Sequence, residues 1–140
     1  MDLLPYLKAM VDREASDLYF SSGAPVGMKV EGITAFVTQH ALGPGMAKSL
    51  AYSVMSDRQR SEFEREFELD MAISVEKLGR FRMNVFMQRG EVALVVRYIK
   101  STIPSIESLH LPELLNDLIM LPRGLILVVG PTGSGKTTTL

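Results

Sequence analysis

The sequence predicts an α/β protein in two parts, and three observations support this. Segments with helical spacing of apolar residues alternate with short strand-like segments over residues 1–100. Residues 80–99 show the apolar alternation typical of an antiparallel hairpin. Residues 125–129 form a continuous aliphatic run, typical of a strand covered on both faces, directly before a glycine-rich motif.

The first predicted elements are a helix and three short strands. We expect the helix to end before Ser16 and a strand to begin at Leu18. Residues 21–25 have the composition of a turn, and residues 26–37 predict two strands around Glu31-Gly32. The apolar residues that predict the helix recur at steps of three and four: Leu3, Leu4, Leu7, Met10 and Val11.

Two helices and a strand follow. Residues 43–45 break the chain, and the apolar spacing over residues 46–55 predicts the second helix. Ser56 and Gln59 have the spacing of a capping box, so a third helix carrying Phe63 and Phe67 is expected to begin there. Residues 69–75 predict a strand, and residues 77–79 the turn after it.

A hairpin with its tip at Arg89-Gly90 explains the next segment. In that register one whole face is apolar, with four pairs: Phe81 and Tyr98, Met83 and Val96, Val85 and Leu94, Met87 and Val92. The same register sets Arg82 directly opposite Arg97 on the other face, where like charges repel. We therefore expect either acidic neighbours or an anion between these two arginines.

The character of the chain changes near residue 100. Pro104 and Pro112 lie in a linker that includes at most one helical turn, and residues 113–121 predict a short apolar helix. The expected organisation is an N-terminal domain over residues 1–100, a linker and short helix over 101–121, and the start of a second domain over 122–140.

Composition excludes several classes of function. The 140 residues are 46% hydrophobic and 22% charged, which argues against wholesale disorder. Fifteen basic against sixteen acidic residues give a net charge of -1, which argues against a generally basic nucleic-acid binder. No cysteine is present, so disulfides, cysteine-ligated metals and thiol nucleophiles are excluded. His40 and His110 lack the spacing of a metal pair, and no segment predicts a membrane span or a secretory signal.

Residues 130–137 carry the chemistry, because they match the phosphate-loop pattern G-x-x-x-x-G-K-[ST] at every fixed position. Glycines let the backbone turn its N–H groups towards phosphate oxygens, and the following helix adds its positive end. Lys136 is expected to stabilise the β- and γ-phosphates of a nucleotide, and the Thr137 hydroxyl to bind Mg²⁺. The predicted nucleotide-binding residues of the loop are Gly130, Thr132, Gly133, Ser134, Gly135, Lys136, Thr137 and Thr138.

Three residues follow Thr137, too few for the acidic strand and the further parallel strands that a nucleotide-binding core needs. We therefore expect the chain to be an N-terminal fragment that ends at the start of such a core. Nucleotide turnover by this chain alone is not expected.

Three separated segments resemble type IV pilus retraction ATPases, the PilT/PilU-type members of the secretion-ATPase superfamily. They are Ala15-Ser16-Asp17-Leu18, residues 79–89, and residues 121–140 with the phosphate loop. They occur in the order expected for that family, and the likeness spans nearly the whole chain. The resemblance implies a PAS-like N-terminal domain, with an antiparallel sheet and flanking helices, before a RecA-like ATPase domain.

The resemblance also implies a function, cofactors and partners. A protein of this family is a hexameric cytoplasmic motor, peripheral at the inner membrane, that hydrolyses ATP with Mg²⁺ to drive pilus disassembly. Its implied partners are further copies of itself, an inner-membrane platform protein of the pilus and a paralogous retraction ATPase. Binding of nucleic acid and direct membrane insertion are not implied.

The resemblance gives a role to the two opposed arginines. In such ATPases, arginines of the N-terminal domain reach over the nucleotide and contact its phosphates, and Arg82 and Arg97 match them by position. The alternative is that they form salt bridges with Glu31, Glu76 or another acid.

Other functions stay open at this point. The chain could serve as a non-catalytic PAS-like module for subunit interaction or regulation, or belong to an ATPase of type II secretion or pilus assembly. A different P-loop enzyme, such as a kinase or a GTPase, is disfavoured by the long domain before the loop. The residues do not separate PilT-type from PilU-type members.

Overall fold

The computed structural model describes residues 2–100, 104–131 and 134–139. The chain divides into two compact units, Met1–Ser101 and Thr102–Leu140, and each is described by itself. The elements of the first unit are, in chain order, α1 (Leu4–Asp12), β1 (Asp17–Phe20), β2 (Gly27–Val30), β3 (Ile33–Phe36), α2 (Met46–Tyr52), α3 (Asp57–Glu66), β4 (Glu68–Val75), β5 (Gly79–Gln88) and β6 (Glu91–Ile99).

The six strands form one sheet in the order β3-β2-β1-β6-β5-β4, and every pairing in it is antiparallel. Strands β1 to β3 pair consecutively, as do β4 to β6, and the pairing of β1 with β6 joins the two sets. Helices α2 and α3 connect β3 to β4, which lie at opposite edges of the sheet. This confirms the predicted α/β class with an antiparallel sheet and flanking helices.

The core of this unit lies on one face of the sheet. Buried and exposed side chains alternate along β4 and β5, so every second residue points into the core. Helix residues join the same core as the strand residues, which shows that the helices cover this face. The opposite face stays open. The largest fully buried side chains include Phe20, Phe81, Leu7, Met10, Leu50 and Met83.

The β5–β6 hairpin has the predicted register. Phe81 pairs with Tyr98, with their ring centroids 5.3 Å apart, and Arg82 pairs with Arg97. The two turn residues, Arg89 and Gly90, have φ angles of 53° and 81°. Positive φ at both positions gives the backbone twist that matches a two-residue hairpin, so the turn and the apolar face agree on one register.

Helix α3 begins as predicted but ends earlier. The Ser56 hydroxyl accepts a hydrogen bond from the Gln59 backbone N–H and the Gln59 side chain accepts one from the Ser56 N–H, which confirms the capping box. Phe67 was expected inside this helix and lies just past it, with a φ of 59°. Its left-handed conformation turns the chain into β4, and its carbonyl accepts a hydrogen bond from Met87 N–H at 3.1 Å.

The second unit contains turns over residues 106–110 and two short helices, α4 (Leu114–Ile119) and α5 (Lys136–Thr139). The predicted strand over residues 125–129 is not formed, and Leu125 and Val129 are 81% and 87% exposed. A strand covered on both faces needs neighbouring strands, and the described residues of this unit supply none.

Across the part of the chain that the structure describes, no helix has the length and apolar character needed to cross a bilayer.

We expect Phe81→Ala to lower the free energy of unfolding by about 3–5 kcal/mol, because it empties a ring-sized volume in a core position that is 0% exposed. Urea denaturation followed by circular dichroism measures this loss. Phe36→Ala is the matched control, because Phe36 is 69% exposed at the edge strand β3. An equal loss in both variants would contradict the described core.

Candidate functional site

Arg82 on β5 and Arg97 on β6 lie directly opposite each other on the open face of the sheet. Their strand neighbours Phe81 and Val96 are fully buried, and alternation along the strands therefore sets both guanidinium groups on the accessible side. The predicted juxtaposition is confirmed. Like charges in this position repel, so each arginine needs a counter-charge.

Asp70 on β4 supplies the counter-charge for Arg82. Arg82 Nε donates hydrogen bonds to Asp70 Oδ1 and Oδ2 at 3.0 and 2.9 Å, and Arg82 Nη2 also donates to Oδ2. This hydrogen bonding lowers the pKa of Asp70 and raises the pKa of the Arg82 guanidinium. Both side chains are exposed, so the pair is accessible to competing ions in solution.

Asp17 on β1 supplies the counter-charge for Arg97, its direct partner in the β1–β6 ladder. Arg97 Nε donates to Asp17 Oδ1 at 2.9 Å, and Ser16 Oγ donates to Asp17 Oδ2 at 2.9 Å. The Asp17 side chain is only 7% exposed, compared with 63% for Arg97. Among the described residues, the terminal nitrogens of Arg97 have no hydrogen-bond partner.

We call Asp17, Asp70, Arg82 and Arg97 the arginine cluster. Three of these residues line a shallow groove of about 250 Å³ together with Asn84 and Val95. The two aspartates balance the two arginines, and the planar guanidinium fork suits the oxygens of a carboxylate or a phosphate. The groove can therefore bind an anion if an arginine turns free donors towards it.

The predicted pairing of the arginines with acidic residues is confirmed, but the two acids named for it, Glu31 and Glu76, are not the partners. Glu31 and Glu76 form no ion pair with either arginine among the described residues, and the two aspartates take that place. The β4–β5 register, in which Asp70 pairs with Asn84, would have placed Asp70 near Arg82. Asp17 is 80 positions from Arg97, and no local pattern reveals such a pairing.

In the second unit, the described part of the glycine-rich motif contacts the Lys136 side chain. Lys136 Nζ donates to the carbonyl oxygens of Gly130 and Pro131, at 2.8 and 2.6 Å. A Cβ atom at position 130 would lie 2.5 Å from Ser134 Oγ, so the turn fits glycine there. Gly135 has a φ of 85° and leads directly into α5.

The donors in this turn suit an anionic ligand. An ammonium group and the exposed hydroxyls of Ser134, Thr137 and Thr138 lie at the start of α5. Thr132 and Gly133, also predicted to bind phosphate, lie outside the described residues. Within the described ranges, no group of three or more His, Cys, Asp and Glu residues could hold a metal ion. The Mg²⁺ role of Thr137 stays a prediction.

Comparison with known proteins gives a family match over nearly the entire chain. Residues 2–140 match the model of the family described as Type II/IV secretion system protein. The chain is 41% identical, over all of its 140 residues, to the type IV pilus ATPase PilU of Pseudomonas aeruginosa, and covers 37% of that protein. It is 38% identical over its full length to PilT of the same organism, a type IV pilus retraction ATPase, and covers 41% of it.

Solved structures agree with the sequence relatives. A crystal structure of the pilus retraction motor PilT with bound ADP superposes with a TM-score of 0.84 at 40% identity, covering 99% of this chain and 41% of that one. The ATPase DotB of Legionella pneumophila shares the fold, with a TM-score of 0.75 at 22% identity, covering 98% of this chain and 38% of DotB. The chain thus spans about two fifths of the length of these relatives. On these matches, the chain belongs to the Type II/IV secretion system protein family, among its PilT/PilU-type secretion ATPases.

Proposed function

We propose that this chain is the N-terminal part of a hexameric, ATP-hydrolysing motor that powers type IV pilus retraction. The observation that carries the proposal is the phosphate-loop motif, in which Lys136 Nζ bonds two loop carbonyls, in a chain that matches pilus ATPases over its full length. The crystal structure of the pilus retraction motor PilT with bound ADP supports a role for this chain in nucleotide binding.

The loop residues of this chain would hold the phosphates of ATP. Lys136 Nζ bonds two carbonyls of its own loop and would move its positive charge onto the β- and γ-phosphates when nucleotide binds. When bound, Mg²⁺ supplies charge neutralisation at these phosphates, and Thr137 is the residue that would hold it. The loop residues do not include a group that positions the attacking water. We therefore expect no ATP hydrolysis by the 140-residue chain alone.

Arg82 and Arg97 would also contact the phosphates of a bound nucleotide. Their support is geometric: they lie side by side on an accessible sheet face and carry donors suited to phosphate oxygens. The proposed partners are further copies of the chain in a hexamer, an inner-membrane platform protein of the pilus and a paralogous retraction ATPase. The proposed location is the cytoplasmic side of the inner membrane.

We expect Lys136→Ala to reduce kcat for ATP hydrolysis by the full-length protein by about a hundredfold or more, because a preorganised positive charge at the transferred phosphate is lost. Steady-state phosphate release measures this. Lys100→Ala removes an exposed lysine outside the loop and is the control. Full activity in the Lys136→Ala protein would refute the phosphate-loop assignment.

We expect Arg82→Ala to raise the Kd of the full-length protein for a non-hydrolysable ATP analogue with Mg²⁺ by about tenfold, because a charge-assisted hydrogen bond to phosphate is lost. Isothermal calorimetry measures the Kd. Arg58→Ala is the control, since it removes one positive charge from the exposed surface of α3. If Arg82→Ala binds the analogue as tightly as Arg58→Ala does, Arg82 does not contact phosphate.

A further inference from the structure

The two ion pairs of the arginine cluster differ in the atoms that they occupy. Asp70 accepts hydrogen bonds from both Nε and Nη2 of Arg82, which is the side-on geometry that a phosphate would also use. Asp17 accepts only from Nε of Arg97. Among the described residues, the terminal donors of Arg97 therefore have no partner, while one edge of the Arg82 fork is already occupied by Asp70.

The pairs also differ in burial. Asp17 is nearly enclosed, with a side chain that is 7% exposed, and Ser16 Oγ donates to its second oxygen. A carboxylate in such a place keeps its partner, because separation would leave a buried charge without compensation. Asp70 is 41% exposed and Arg82 62%. An exposed pair contributes little to stability and exchanges readily with other ions.

We propose that the two aspartates act in opposite ways on the binding of nucleotide phosphate. Asp17 is a positioning residue that holds Arg97 by Nε and leaves its terminal donors available to a phosphate. Asp70 occupies Arg82 in place of a phosphate, and Arg82 must leave it before it can contact the nucleotide. This inference rests on the proposed function, because it assumes that the two arginines contact phosphate.

The proposal predicts changes of opposite sign. In the full-length protein, Asp70→Asn is expected to lower the Kd for a non-hydrolysable ATP analogue with Mg²⁺ by about two- to fivefold, the equivalent of releasing an exposed ion pair. Asp17→Asn is expected to raise the same Kd by about tenfold, because Arg97 loses its charged anchor. A loss of structure cannot account for tighter binding in the Asp70 variant.

Controls separate these pairings from a general change of charge. Glu68→Gln removes an acid from the same face of the same strand, two positions from Asp70, and is expected to leave the Kd unchanged. In an Arg82→Ala background, Asp70→Asn is expected to have no effect. In an Arg97→Gln background, Asp17→Asn is likewise expected to have none.

A further variant covers the case in which Asp17→Asn does not fold. Arg97→Lys keeps the positive charge but has no Nε for Asp17 to hold. It is expected to raise the Kd about as much as Asp17→Asn does, and circular dichroism verifies that the variant is folded. An unchanged Kd in Arg97→Lys would show that charge alone suffices and that Asp17 does not position Arg97.

The outcomes distinguish the phosphate role of the two arginines from the opposite roles of the two aspartates. If Arg82→Ala and Arg97→Gln leave the Kd unchanged, both the phosphate role of the arginines and this inference fail. If those variants weaken binding while Asp70→Asn also weakens it, or matches Glu68→Gln, the arginines bind phosphate and the exchange at Asp70 is wrong.

Discussion

The register of the β5–β6 hairpin is the constraint on which the rest of the site depends. Apolar side chains occupy one face of both strands, and a slip of one residue in β5 would move Phe81 to the open face and turn Arg82 towards the core. A slip in β6 would do the same to Val96 and Arg97. The free energy of burying the apolar face therefore holds Arg82 opposite Arg97 despite their repulsion. The left-handed turn residues Arg89 and Gly90 favour the same pairing.

Two like charges held opposite each other need counter-charges, and the neighbouring strands supply them. The sheet order brings β4 to one side of the hairpin and β1 to the other, and each contributes one aspartate. Asp17 is enclosed and Asp70 is exposed to solvent. The ion pair of Asp17 is therefore harder to separate than that of Asp70, although the charges of the four residues balance. The proposed roles of a fixed Arg97 and an exchangeable Arg82 rest on this asymmetry.

Local patterns predicted most of the fold, because helix caps, turns and alternation act over a few residues. The capping box at Ser56 and the hairpin register were read correctly on this basis. The pairing of β1 with β6 could not be predicted from local patterns, since no local signal joins residues 80 positions apart. Asp17 was therefore not identified as the partner of Arg97. The strand predicted over residues 125–129 needs neighbouring strands, and the described residues of the second unit do not supply them. An aliphatic segment alone does not form a strand.

The most direct test of the account is a structure of the full-length protein with Mg²⁺ and a non-hydrolysable ATP analogue. We predict that the Asp17–Arg97 hydrogen bond is kept, that the terminal nitrogens of Arg97 contact a phosphate oxygen, and that Arg82 has left Asp70 for the phosphates. Lys136 should have moved from the carbonyls of Gly130 and Pro131 to the same ligand. A nucleotide bound in the loop with Arg82 still on Asp70, and with both arginines distant from every phosphate, would contradict this prediction.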